Sequence, residues 1–519
     1  MYKTFVKQVA SLQIIVGFVM LVPIIVSLIY QEWYPLLGFL ISGAITLVIG
    51  YSLYLLFKNT DEPKDKHSLA IAAVGWLMVI VFGALPYYVT AWITPFEVMQ
   101  KFVPVGMDYT PSLLNFKNPL HCIFESASAF TTTGLTMAYH EPSVGRTINF
   151  YRNFSQFIGG AGFIVMALAV FKHIPGQGAI KLYGSEASGT KVRTNVIQTA
   201  RAIWKIYILI TFLVFVILFV GTLIILPDYP ISEALFDTIN HAMAGQSTGG
   251  FSNLDDSIAT YKSPAMDWLY IFPMLIGGMS LPFLYRLVML GEVKLLWKDI
   301  QTRALLLASL FGGIVLSFFL YKAAIVPDPI REGMFQFATA LTTTGWQTSN
   351  IGVWDDLSVL FIVFGAMIVG GCAGGTVGGI KIIRALLLQK GLRWHVNKVF
   401  LSKNTIKTVK FNGKLMLPSE MNSELAKAGL FTLIYLLFVL VSTMITIAYM
   451  PKSFTMADAL FESASAQGTV GLSSGISDPS MSPILEMVYV IQMWAGRIEI
   501  IPVLVLLRII FYRTKPQIV

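Results

Sequence analysis

The chain has 519 residues, of which 55% are apolar and 13% charged, with a formal net charge of +9. Soluble domains carry about 25% charged residues, and a mean hydropathy of +0.69 excludes a water-soluble globular protein as the bulk of the chain. The apolar residues fall into blocks long enough to cross a bilayer, which takes roughly 20 residues per helix.

Ten such blocks are readable, at about 10–30, 35–57, 68–94, 147–171, 203–226, 266–291, 304–326, 357–388, 425–449 and 484–512. The first follows Lys3 and Lys7 but lacks a small-residue cleavage site and is too long for a signal-peptide core. It reads as a retained span. Cys122 and Cys372 lie in or beside membrane segments, far apart in the chain, and define neither a disulfide framework nor a metal site.

Charge is unevenly distributed. The stretch 172–205 has Lys172, Lys181, Lys191, Arg193, Arg201 and Lys205 against Glu186 alone, and 381–427 has ten basic residues against Glu420 and Glu424. By contrast, 228–267 has six acids and only Lys262. Counting spans puts the two basic stretches on one side and the acidic one on the other. The positive-inside rule then assigns the basic loops and both termini to the cytoplasm. Topology explains these basic runs better than nucleic-acid binding does. The acidic outer stretch is either a plain solvated face or a weak cation-concentrating field at a pore mouth.

Between alternate pairs of spans lies a segment too short to cross. In chain order these are 120–136 (LHCIFESASAFTTTGLT), 234–252 (ALFDTINHAMAGQSTGGFS), 333–347 (GMFQFATALTTTGWQ) and 459–473 (ALFESASAQGTVGLS). Phe124 and Gly134, Phe335 and Gly345, and Phe461 and Gly471 are each ten residues apart; Phe236 precedes Gly250 by fourteen, as though its helix had gained a turn. Each segment runs from an amphipathic stretch through a hydroxyl-rich tripeptide to glycine and a large apolar residue. Gly159-Gly160, Gly277-Gly278 and Gly370-Gly371 begin 25, 27 and 25 residues after their glycines, and Arg497 takes the corresponding place in the fourth repeat. The chain therefore reads as an all-α polytopic membrane protein. Two N-terminal helices (1–60) precede four pseudo-symmetric helix–loop–helix units at 61–175, 176–292, 293–395 and 396–519.

Non-helical backbone at membrane depth is tolerated only where protein buries it or it lines a watery cavity. Four glycine-centred loops are best placed around one axis. There glycine lets successive carbonyls turn inward, and a ring of carbonyl oxygens can replace the water shell of a monovalent cation. Four matching loops argue against ordinary Thr-Gly turns.

The run 370–379 (GGCAGGTVGG) contains six glycines, which would cost a helix roughly 6 kcal/mol relative to alanine. A break within the eighth block is expected, forming a flexible gate below the glycine loops. The alternative is close helix packing through small-xxx-small spacing. Arg497, in the last block, is costly in a bilayer; beside the axis it would act as a positive barrier. The alternative is a pair with Glu499, which two residues away does not share its helix face, or with carbonyls of the glycine run. Glu125 and Glu462 are expected near the starts of the short loop helices as dipole partners or caps, with Asp237 acting similarly.

The four loops, the glycine run and Gly496-Arg497-Ile498-Glu499 resemble the Trk/Ktr/HKT superfamily of potassium transporters over about residues 10–512, and the two extra N-terminal spans are similar to its bacterial Trk-type membrane subunit. The resemblance implies one potassium pore per chain in a bacterial inner membrane. It implies a selectivity filter of Thr132, Thr133, Gly134, Thr248, Gly249, Gly250, Thr343, Thr344, Gly345, Thr469, Val470 and Gly471. Potassium would be held at Thr133, Gly134, Thr248, Gly250, Thr344, Gly345, Val470 and Gly471, with no organic cofactor. A gate of Gly370, Gly371, Gly374, Gly375, Thr376, Gly378, Gly379 and Lys381, with Arg497, is implied too. So are a homodimer and a cytosolic ring of nucleotide-binding (TrkA-like) regulatory subunits.

Gly249-Gly250 leaves the second loop's register open by one residue, Trp346 is expected to alter the outer mouth, and Val377 interrupts the gate with a branched side chain. The competing transport reading is a proton- or sodium-coupled potassium symporter, which needs a titratable group on the path; Arg497 is the one clear intramembrane charge in the sequence. An enzyme is not indicated. Residues 471–475 match G-x-S-x-G, but without a strand–turn–helix context. There is no HExxH and no P-loop, so any ATP dependence belongs to a partner.

Overall fold

The computed structural model of the chain describes residues 2–60, 68–162, 196–400 and 408–512. These are helical apart from connecting loops and one hairpin, in which Val409–Phe411 pairs antiparallel with Lys414–Met416. Most of the basic stretch 172–205, the end of the fourth apolar block and both chain ends lie outside the described residues.

Six of the ten blocks form helices long and apolar enough to cross a bilayer: Phe5–Tyr30, Trp33–Leu56, Leu69–Ile93, Gln198–Ile225, Ile300–Ala323 and Pro418–Tyr449. The expected break in the eighth block is present, between Leu357–Val369 and Ile382–Val399. Two more blocks that read as continuous spans are also broken. Pro264–Gly277 bends by 100° into Leu281–Met289, and Pro483–Arg497 gives way to Ile501–Tyr512. In the last case the backbone leaves the helical region at Glu499 (φ 62) and Ile500 (φ 47), a conformation that hydropathy does not register.

Each repeat thus supplies a long helix, a short helix and a further helix after the loop, and in the second, third and fourth repeats this last one is broken. The short ones are Pro119–Phe130, Ile231–Gln246, Pro329–Leu341 and Met456–Gly468, with 12, 16, 13 and 13 residues, so the second has its extra turn. Their starts are written locally. Asn118, Asp328 and Thr455 accept backbone N–H bonds at the first turn, and proline opens the first and third. Glu125 and Glu462 therefore do not cap. Both lie in the middle of their helices, fully buried.

The helix after each loop packs on the short helix of its own repeat and on that of the next. Arg146–Gly160 meets Pro119–Phe130 and Ile231–Gln246, and Pro264–Gly277 meets Ile231–Gln246 and Pro329–Leu341. Leu357–Val369 meets Pro329–Leu341 and Met456–Gly468, and Pro483–Arg497 returns to Pro119–Phe130. The order closes on itself. The N-terminal spans pack outside the first repeat, where Glu32 accepts bonds from the backbone N–H groups of Arg146 (2.8 Å) and Thr147 (2.9 Å). A carboxylate there offsets the partial positive charge of the helix start. Outward, Leu307, Phe311, Ile314 and Phe318 form an exposed apolar stripe along Ile300–Ala323. Such a stripe is an aggregation hazard in water and a lipid contact in a bilayer.

Candidate functional site

At the closing point of these helices, Gly134, Gly250, Gly345 and Gly471 have φ of +96, +74, +89 and +93. Two residues earlier Thr132, Thr248, Thr343 and Thr469 are also left-handed, at 57, 50, 53 and 50. Side-chain-bearing residues rarely adopt this region and hold it only where surroundings enforce it. Here the enforcement repeats. The residue before each glycine donates its N–H five residues back: Thr133 to Ser128 (2.9 Å), Gly249 to Ala244 (2.8 Å), Thr344 to Thr339 (2.9 Å) and Val470 to Ser465 (2.9 Å). The second loop's register follows: Gly250 is the counterpart of Gly134, and Gly249 of Thr133.

The four bends touch. A Cβ on Gly134 would strike the Gly249 carbonyl oxygen; on Gly250, that of Thr344; on Gly345, that of Val470; on Gly471, that of Thr133. Each glycine faces a carbonyl of the next loop, and the fourth faces the first. Only a residue without a side chain fits this approach at positive φ.

Behind the ring lies a layer of residues that the sequence did not single out. Ser128, Thr339 and Ser465 hydroxyls accept the N–H bonds of Gly134 (2.9 Å), Gly345 (3.0 Å) and Gly471 (3.1 Å). Ala244 holds that place in the second loop, and Gln156 substitutes from the neighbouring helix, donating to the Gly249 carbonyl at 2.5 Å and accepting from Phe251 N–H at 3.1 Å. A second tie joins the residue nine before each glycine to a hydroxyl just beyond it. Glu125 accepts from Thr136 (3.1 Å), His241 bonds Ser252 (3.0 Å), Gln336 donates to Thr348 (3.2 Å) and Glu462 accepts from Ser473 (2.9 Å). The signal for it was present as a polar residue at a constant offset. Glu125 pairs with the fully buried Arg152 at 2.6 Å, so Arg497 is not the one charge inside the bundle. Asp237 is bonded by Tyr229 (2.5 Å) and Asn253 rather than capping a helix.

On one side of the ring all four glycines open into a cavity of about 370 Å³ that Glu141, Asp255 and Asp256 also line. Burial is the main influence on the Glu141 carboxyl, whose Oε2 is enclosed without a hydrogen-bond partner, and pushes its pKa up to about 8. Of the acidic stretch, Glu233 pairs with Arg146 (2.7 Å) and Asp267 with Arg331 (3.4 Å), while Asp255, beside His140 (3.3 Å), and Asp256 line the mouth. Trp346 does not shape that mouth. It is fully buried, packs edge-on to Tyr270 (5.2 Å) and occupies space left by Gly245.

On the other side residues 370–381 fold back on themselves without forming a helix, so helical small-residue packing does not apply. Gly370, Gly374 and Gly379 take φ of +68, +83 and +74. Gly371 and Gly375 lie where a Cβ would meet the carbonyls of Gly278 (3.1 Å) and Met279 (2.7 Å); Val377 packs against Gly371. Gly378 donates to the Thr343 hydroxyl (3.1 Å), and the buried Thr376 hydroxyl meets that of Thr248 (2.9 Å). Arg497 reaches the carbonyls of Gly159 (2.5 Å), Gly160 (2.7 Å) and Thr376, and the Thr132 hydroxyl (3.4 Å). It thereby links the first, third and fourth repeats beneath the ring. Glu499 turns away to Lys381 and Arg384, each at 2.6 Å.

Lipid-facing helices around buried, glycine-bent loops define a multi-pass membrane transport protein. Residues 67–515 match the family model TrkH, described as cation transport protein, and the chain belongs to that family. It is not an enzyme. It is 29% identical to an uncharacterised cation transporter of Methanocaldococcus jannaschii, covering 96% of this chain and 94% of that one. To the Trk system potassium uptake protein TrkH of Escherichia coli it is 28% identical, covering 99% of each. The crystal structure of the potassium transporter TrkH from Vibrio parahaemolyticus has the same fold, with a TM-score of 0.79, 24% identity and coverage of 99% of this chain and 100% of that one.

Proposed function

We propose that this chain takes up potassium through the glycine ring, as a filter of Thr132–Gly134, Thr248–Gly250, Thr343–Gly345 and Thr469–Gly471. The observation that carries the reading is the closed order of contacts, in which every loop glycine lies against the next loop's carbonyl oxygen. Backbone oxygens converging in this way can replace an ion's hydration shell. The short helices end beside the ring, and their C-termini carry roughly half a negative charge each, which favours a cation. Glycine at all four positions, which in the superfamily the sequence resembles goes with potassium, and the potassium transport named for the Escherichia coli and Vibrio parahaemolyticus proteins support potassium as the ion.

Residues 370–379, with Lys381 and Arg497, act as the gate. A guanidinium below the filter repels a cation, and the Thr376 and Gly378 bonds hold the glycine run across the path. Four pseudo-symmetric units, with 1–60 outside them, build one pore per chain. Two chains associate, and a nucleotide-binding cytosolic subunit docks on the basic inner surface around 381–427. The membrane is a bacterial inner membrane with both termini in the cytoplasm.

The test is ion flux in liposomes containing the purified chain. Gly134→Ser is expected to weaken discrimination of potassium over sodium. A variant with unchanged selectivity would remove Gly134 from the filter. Current that reverses with the potassium gradient alone, at fixed pH and sodium, separates conduction from coupled symport.

A further inference from the structure

We propose that Arg152 is a specificity-determining positioning residue, which sets ion discrimination by clamping the first and second loops to one another immediately outside the ring. The inference rests on the filter reading above.

Arg152 is fully buried in helix Arg146–Gly160 of the first repeat, and its three nitrogens reach different partners. Nε donates to Glu125 at 2.6 Å and Nη2 to the Thr136 hydroxyl at 2.8 Å, both in the first loop. Nη1 donates to Asn149 at 3.0 Å and to the Ser252 carbonyl at 3.1 Å, the latter two residues beyond Gly250 in the second loop. The guanidinium also lies over the Phe251 ring, 4.2 Å from its centroid. One side chain therefore holds the strands that leave two adjacent filter glycines.

A plainer account is that Arg152 merely neutralises a buried carboxylate. The fourth loop argues against it. Glu462 stands in the same place as Glu125, equally buried, and is satisfied by Ser473 Oγ (2.9 Å), Ser474 N–H (2.8 Å) and Ser477 N–H (3.1 Å). A carboxylate at this position is thus accommodated by its own loop. What the arginine adds is the reach into the second loop, where Ala244 has removed the internal hydroxyl that steadies the other three. The clamp falls at the one loop lacking that support, beside Gln156.

A planar guanidinium with donors on three nitrogens can span both loops; an ammonium is a point charge and cannot. Arg152→Lys retains the charge beside Glu125 and loses the bridge. In liposomes holding the full chain, potassium and sodium flux are each measured alone. Arg152→Lys is expected to keep potassium flux and lose about tenfold in potassium-over-sodium discrimination, equivalent to roughly 1.4 kcal/mol. Phe251→Leu, which removes only the stacking face, is expected to lose less, in the same direction, and decides the matter if the lysine variant fails to fold. A lowered melting temperature with wild-type discrimination in these variants assigns Arg152 a structural role and overturns the proposal. Gly134→Ser is run beside them. If it alone loses selectivity, the clamp is wrong and the filter stands. If it too is wild type, the filter reading falls and the clamp with it.

Discussion

One carbon atom separates a residue that fits the ring from one that does not. Gly250 and Gly291 both have positive φ, +74 and +66, but a Cβ on Gly250 would overlap the Thr344 carbonyl, whereas Gly291 has open space around it. Gly291→Ala is expected to cost about 1–2 kcal/mol, from backbone conformation alone. Gly250→Ala carries the same strain plus the clash, and is expected to melt lower still and to lose potassium flux. Equal melting temperatures would show that the loops do not meet as closely as described. Glu141 offers a titration at the same scale. Burial raises its pKa to about 8, with Arg152 partly opposing this and Asp255 adding to it, and the neighbouring Asp255 is raised as well, chiefly by burial. The folded chain therefore holds a proton on Glu141 that the unfolded chain releases. Its contribution to stability is fully present below about pH 4.5 and is lost as pH rises through about 8. The same deprotonation adds negative charge to the mouth. Potassium flux at low ionic strength is expected to rise between pH 7 and 9 on the cavity side, and Glu141→Gln is expected to abolish that increment. An identical rise in the glutamine variant assigns it elsewhere.

At the scale of elements, the short helices and their loops were legible because spacing is conserved inside the chain itself. Phe-to-glycine intervals of ten and one of fourteen foretold both the common plan and the extra turn of Ile231–Gln246. The ties behind the ring were not legible. Their partners lie six or eleven to twelve residues apart across a bend, no helical or strand period relates them, and the polar residue at a constant offset is recognisable only once its partner is known. Glu125 and Glu462 misled for that reason: they look like first-turn acids when the start at Pro119 or Met456 is not known. The kink in the sixth block escaped because no charged residue marks it, and that in the tenth because Arg497 reads as a barrier rather than as the end of a helix. Within the last block, Arg497 holds four oxygens of three other segments. Arg497→Ala is expected to raise potassium flux in liposomes, since it removes both the repelling charge and the brace on Thr376. Reduced flux from a protein that melts like wild type would contradict a barrier role.

Over the whole molecule, composition alone announced a membrane protein, and the ten apolar blocks gave its spans, the eighth broken as expected, with the sixth and tenth needing revision and the fourth reaching beyond the described residues. How the N-terminal pair attaches was hidden, since Glu32 contacts a helix start more than a hundred residues away. Glu32→Ala is expected to destabilise the chain by about 1 kcal/mol through loss of that cap, measured as a lower melting temperature in detergent. An unaltered melt would mean that the spans are held by apolar packing alone.

Because all four repeats belong to one polypeptide, the slot that is glycine in three of them can be arginine in the fourth. An assembly of four identical subunits has no such freedom. Placing one guanidinium on its axis means placing four, and neighbouring unit charges at about 4 Å repel by roughly 4 kcal/mol per pair near a protein surface. Fusing the repeats into a single polypeptide is thus what permits this position to carry one guanidinium beneath the ring, with its stoichiometry fixed at one by covalent connection.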